Sequence, residues 1–234
     1  MLSKLSLGLL ASTMTINEAQ AQQEKRCNAL ALSGGGAKGA YESGALWGLW
    51  HNAQDKSEYA YSVSSGVSAG SINSAAISVF APGDEEALCN FLDEKWQNLE
   101  KSDVYRNWCP FGPITGLTRE SGIFNTVNLK EFITRVYKEF NNEIKKKIVV
   151  SCVDVNTGAY ILFDENSPEI IDGVVASSSI PFVFPHQTFD TKPGVVCMDG
   201  GTVWNTNLVS SIEKCREQVD DDSQIYLDIA ICDS

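Results

Sequence analysis

Short runs of consecutive apolar residues recur along the chain. Between them, apolar residues return every three or four positions. Asn28-Ala29-Leu30-Ala31-Leu32 ends in Ser33-Gly34-Gly35-Gly36, which predicts a buried strand running into a glycine turn. From Ala40 to His51, Leu46, Leu49 and Trp50 recur at helical spacing. Tyr61 to Ser65 reads as a second strand, stopped at Gly66, with a helix of small residues from about Ser71 to Phe80. Pro82-Gly83-Asp84 breaks the chain before a helix striped by Leu88, Phe91, Leu92, Trp96 and Leu99.

Between Ser102 and Thr126, prolines and glycines sit among Trp108 and Phe111, and the spacing predicts a long ordered loop or lid. Asn128, with Glu131 as its capping-box partner, opens a helix striped by Leu129, Phe132, Ile133, Val136, Tyr137 and Phe140. Lys145-Lys146-Lys147 beyond it reads as a solvated basic turn. Strands are expected at Ile148–Val153, Tyr160–Phe163, Val195–Met198 and Ile225–Ile231, with helices near Gly173–Ser178 and Leu208–Val219. Apolar strands alternating with helices predict an α/β fold, a mainly parallel central sheet covered by helices on both faces.

At the N-terminus, Lys4, the apolar Leu5–Ala11 and the triplet Ala19-Gln20-Ala21 have the layout of a secretory signal. The expected organisation is therefore a signal peptide over 1–21 and one folded domain over 27–234, with the secretory pathway as destination. The net charge of −12, from 18 Lys and Arg against 30 Asp and Glu, makes nucleic acid a poor partner. No apolar run is long enough for a membrane-spanning helix. The seven cysteines contain no C-x-x-C and only two histidines accompany them, so no metal site is expected. An odd count leaves at least one cysteine unpaired, and Cys152, inside an apolar run, reads as a buried apolar residue.

Three strand ends carry glycine-bearing turns, where the chemistry of a parallel sheet gathers. Gly34-Gly35-Gly36-Ala37-Lys38-Gly39 matches G-x-G-x-x-G, and its N–H groups can converge on a pyrophosphate or on an oxyanion. A dinucleotide site expects an acidic residue after the second strand, whereas Asp55 and Glu58 precede it. Gly66-Val67-Ser68-Ala69-Gly70 is a strand-to-helix elbow that lifts the Ser68 hydroxyl to a helix N-terminus. Asp199-Gly200-Gly201 ends an apolar strand and supplies a carboxylate partner for Ser68. His51 and His186 sit at a helix end and in a loop, so a carboxylate is the better base, Asp199 first and Asp154 second.

The three turns in this order, with Ala176-Ser177-Ser178-Ser179-Ile180-Pro181 through Phe184-Pro185, resemble the patatin-like phospholipases. The resemblance runs from about Cys27 to the C-terminus and implies a three-layer α/β/α fold. It implies Ser68 as nucleophile and Asp199 as base. It places the oxyanion hole at the N–H groups of Gly35 and Gly36, with Lys38 or Ala69 as a further donor. The implied substrate is a glycerolipid acyl ester, with no cofactor. Family domains usually continue past the last strand seen here, so a truncated C-terminus is an expectation too. A catalytically inactive lipid-binding relative is the alternative. Peripheral membrane contact is expected through Trp108 to Phe124.

Overall fold

The structure is a computed structural model that describes residues 25–232, so the leader expected over 1–21 lies outside the described residues. β1 (Cys27–Leu32) is buried along its whole length. It pairs in parallel with β2 (Val63–Gly66) and with β7 (Ile225–Ala230). β2 pairs in parallel with β3 (Lys147–Asp154). Burial on both faces explains why these strands read as unbroken apolar runs.

Two additions run against this set. β4 (Tyr160–Asp164) folds back on β3, and β6 (Val196–Asp199) pairs antiparallel with Cys152–Asp154 of β3, with the short β5 (Gln187–Thr188) beside it. β2 uses Lys147–Val150, so β6 meets β3 just past the point where β2 leaves it. That register carries Asp199, opposite Cys152, to the end of β2.

Helices cover both faces, as the apolar strands require. α1 (Gly39–Asn52), α2 (Ala69–Ser78), α3 (Glu85–Asn98), α6 (Val127–Glu139) and α7 (Ile170–Ser177) share the larger core with Leu30 and Leu32. α8 (Leu208–Arg216) covers the other face, where Cys27 and Ala29 meet Cys215. Successive β1 side chains thus point into two cores, the expected three layers.

Several local readings need correction. Cys152 is not a free apolar cysteine: it is bonded to Cys197, joining β3 to β6. Cys27 and Cys215 form a second disulfide across 188 residues, pinning β1 to α8. Lys145–Lys147 is solvated only in part, at the exposed Lys145. Lys146 is fully buried with its Nζ 2.7 Å from Glu85, and Lys147 meets Glu165 at 2.8 Å. A charge run reads as solvated only if nothing folds over it, and here α3 brings Glu85 to the start of β3.

The expected loop at 102–126 contains two short helices, α4 (Lys101–Val104) and α5 (Pro113–Arg119). Gly112 at φ 58 and Pro113 in the first turn start α5. α6 begins one residue before Asn128, which does not cap it. Its side-chain amide donates instead to the Ser102 carbonyl at 2.6 Å, tying α6 to α4.

Candidate active site

The elbow after β2 is tight because two of its residues have no side chain. A Cβ on Gly66 would stand 2.1 Å from the Gly70 carbonyl oxygen, and one on Gly70 would stand 2.5 Å from that of Leu32. Between them Ser68 sits at φ 52 and ψ −121, a conformation that an L side chain rarely adopts. Neighbouring serines hold it there. The Ser68 N–H donates to Ser177 Oγ at 2.9 Å, and its carbonyl accepts from Ser71 at 2.6 Å and from Ser178 at 3.1 Å. Ser68 is buried at the N-terminus of α2, where developing negative charge is favoured.

Asp199 reaches the same spot from β6. Its backbone N–H donates to the Ser179 carbonyl at 2.8 Å, and its Oδ1 accepts from the Gly201 N–H at 2.8 Å. The Ser68 side chain lies close enough to this carboxylate to lower its pKa. Burial is the largest influence on Asp199 and raises its pKa from 3.8 to about 6, against the pull of Ser68 and the Gly201 N–H. A carboxylate with that proton affinity, beside a hydroxyl, is suited to accept its proton.

The glycine turn forms the third side. Gly34 packs on Ser68: a Cβ at Gly34 would lie 3.0 Å from that of Ser68. A 3-10 turn, Gly36–Lys38, then leads into α1. The N–H groups of Gly35, Gly36 and Ala69 have no acceptor among the described residues. The Lys38 N–H, by contrast, closes the turn on the Gly35 carbonyl at 3.1 Å, so Lys38 is not an available donor. Gly39 is buried at the start of α1.

Other readings end elsewhere. Asp154 is occupied in the turn after β3, where Thr157 and the Val196 N–H donate to its carboxylate, Thr157 first in holding its pKa low. His51 stacks on Trp47 at the end of α1. His186 lies in the loop before β5, its backbone N–H donating to Ser121. Among the described residues no three His, Cys, Asp or Glu side chains group as metal ligands.

Two supports have no signal of their own in the sequence. Asn205 accepts the Gly34 N–H on its carbonyl at 3.0 Å and donates its side-chain amide back to the Gly34 carbonyl at 3.0 Å. It thereby joins the glycine turn to the Asp-Gly-Gly turn. Ser177, Ser178 and Ser179 touch both Ser68 and Asp199. Only the Ala176–Pro181 resemblance pointed to these serines, and it assigned them no role.

A family model described as patatin-like phospholipase matches residues 30–211. No curated protein matches the chain. Among solved structures, the crystal structure of VipD from Legionella pneumophila matches with a TM-score of 0.46 at 13% identity, covering 88% of this chain and 50% of that one. The chain therefore spans half the length of that protein.

Proposed function

The chain belongs to the patatin-like phospholipase family, and from that membership we propose that it hydrolyses acyl esters of glycerolipids with Ser68 as nucleophile and Asp199 as general base. The observation that carries this reading is that the Ser177–Ser179 segment holds the strained, buried Ser68 and the Asp199 carboxylate, whose pKa burial raises to about 6, side by side. Asp199 takes the hydroxyl proton as Ser68 Oγ bonds to the ester carbonyl carbon. The carbonyl oxygen becomes an oxyanion facing the free N–H groups of Gly35, Gly36 and Ala69. Collapse expels the alcohol, which takes the proton from Asp199 and leaves an acyl-Ser68. Water then attacks the acyl carbon, giving its proton to Asp199, and the released Ser68 oxygen recovers that proton.

The test is labelling with a fluorophosphonate and hydrolysis of a lipid panel read by mass spectrometry. The expected adduct is on Ser68, with fatty acid released from glycerolipid. An adduct on another serine overturns the assignment.

An apolar rim beside the elbow supports contact with a lipid surface. Ile114 and Leu117 on α5, with Phe111 before it, are 65%, 71% and 70% exposed. Phe182, three residues past Ser179, is 84% exposed at φ 67, a strained setting for a bulky side chain. The Ile123 N–H donates to the Phe182 carbonyl at 3.0 Å, joining the two groups. With a net charge of −12, apolar insertion rather than attraction to anionic headgroups would hold the protein. Leu117→Glu with Phe182→Glu is expected to lower vesicle hydrolysis at least about tenfold relative to a soluble ester, since each lost apolar anchor removes roughly 1.5–3 kcal/mol. Equal losses on both substrates would overturn the surface role.

The two disulfides favour an oxidising compartment, in keeping with the leader read at the N-terminus.

A further inference from the structure

The reaction proposed above leaves unused a carboxylate buried behind the glycine turn. Glu42, in the first turn of α1, is 0% exposed. Its Oε2 accepts from the Asn73 side-chain amide at 2.8 Å, and the same nitrogen donates to the Gly39 carbonyl at 3.0 Å. The Trp96 indole N–H donates to Asn73 Oδ1 at 2.8 Å, which fixes which end of that amide carries the oxygen. Trp96 also lies against Gly39, where a Cβ would stand 2.6 Å from the ring.

The other oxygen, Oε1, has no aligned hydrogen-bond partner. Nearby, the Ser33 backbone N–H donates to the Ala230 carbonyl at 3.1 Å and the Cys232 thiol to the Lys38 carbonyl at 3.2 Å. The Asn73 amide is thus the group that donates to Glu42, and such a bond favours the ionised carboxylate. Ser33 begins the glycine turn, Gly39 ends it, and Asn73 belongs to the helix that starts at Ser68. Asn73 therefore ties the Gly39 end of the turn, and Glu42 beside it, to the helix that follows Ser68.

We propose that Glu42 is a positioning residue for the reaction at Ser68: its carboxylate, acting through Asn73, holds the glycine turn in register with α2. The proposal rests on the reading of Ser68 as nucleophile and of that turn as the oxyanion site. Burial is the largest influence on Glu42 and lifts its pKa from 4.5 to about 7, against the pull of the Asn73 hydrogen bond. With the folded value above the ordinary one, its contribution to stability is present at low pH and is lost as pH rises through about 7. The ionised form that the clamp needs is thus the form that costs the fold stability. Cys232 is the titratable neighbour, and burial first, then Glu42, push its pKa to about 11, so it stays neutral over the working range. Lys38 acts on Cys232 from the turn itself. Asn73, which faces Glu42 from α2, Trp96, which meets Asn73 from α3, and Ser33, just past β1, do not titrate.

The experiment compares wild type, Glu42→Gln and Trp96→Phe on a soluble p-nitrophenyl ester across pH, with thermal unfolding at pH 8. Glu42→Gln is expected to lower kcat about 100-fold with KM unchanged, the effect of a misplaced reacting geometry. It is also expected to unfold at the same or a higher temperature than wild type at pH 8, because a buried charge is gone. The acid limb of kcat should show two protonations in wild type and one in Glu42→Gln. Trp96→Phe keeps a ring on Gly39 and frees the Asn73 amide to turn over, so kcat should fall in the same direction with Glu42 intact.

An unchanged kcat in Glu42→Gln overturns the proposal. So does a loss of kcat matched by a lower unfolding temperature in both variants, which would mark a purely structural role. Absence of Ser68-dependent turnover in wild type overturns the reading at Ser68, and this proposal with it.

Discussion

Ser68→Ala is expected to lower hydrolysis of a soluble ester by about 10⁴-fold or more, the scale seen when a nucleophile is deleted from a unit that acts together. The variant should fold. The backbone contacts that hold the elbow come from Ser71, Ser177 and Ser178 and use only the main chain of residue 68. Alanine keeps the Cβ against Gly34 and removes one hydroxyl. The lost hydroxyl is one of the two groups that lower the proton affinity of Asp199. The Asp199 pKa should therefore rise further in the variant. The measurement is kcat/KM on a soluble ester and on vesicles, with unfolding temperature alongside. Equal rates in variant and wild type would end the assignment of Ser68.

Asp199→Asn is expected to abolish turnover while strengthening the fold above pH 6. The Asn side chain can still accept the Gly201 N–H on its oxygen. Its NH₂ then faces Ser68 as a donor, so the hydroxyl proton has no acceptor and the nucleophile is not activated. The stability change follows from the sign of the pKa shift. The folded-state value of about 6 exceeds the ordinary 3.8. The stabilising contribution of Asp199 is therefore complete below the ordinary value and is lost as pH rises through about 6. Above that pH wild type carries a buried charge that Asn lacks, worth on the order of 2–3 kcal/mol for a shift of this size. Unfolding measured at pH 8 and at pH 4 should show the variant ahead only at the higher pH. In wild type, the lower of the two protonations in the acid limb should fall near 6. An Asn variant that is less stable than wild type at pH 8 would contradict the burial of this charge.

The turns that carry Ser68 and Asp199 were legible in the sequence because they are local. Gly66, Ser68 and Gly70 lie within one turn, and steric exclusion at Gly66 and Gly70 writes itself into adjacent letters. The apolar strands were legible for the same reason, since burial on both faces marks every residue of a run. What was not legible depends on partners far apart in the chain. Cys152 gave no hint of Cys197 because β6 reaches β3 only through the antiparallel turn-back. Lys146 looked solvated because Glu85 lies 61 residues away. Asn205 carries no motif of its own, although it grips Gly34 by two hydrogen bonds from 171 residues away. Glu42 fell among helical residues with nothing to mark its burial. The boundaries of α5 were missed because a helix this short has too few turns for a periodic stripe.

The serines at the end of α7 have one more consequence. Ser68 and Asp199 come from different strands, yet both are bonded to one short segment, Ser68 to Ser177 and Ser178 and Asp199 to the next residue, Ser179. A displacement of that segment therefore moves the Ser68 elbow and the end of β6 together, so the separation of the two side chains depends on three adjacent residues more than on the sheet as a whole.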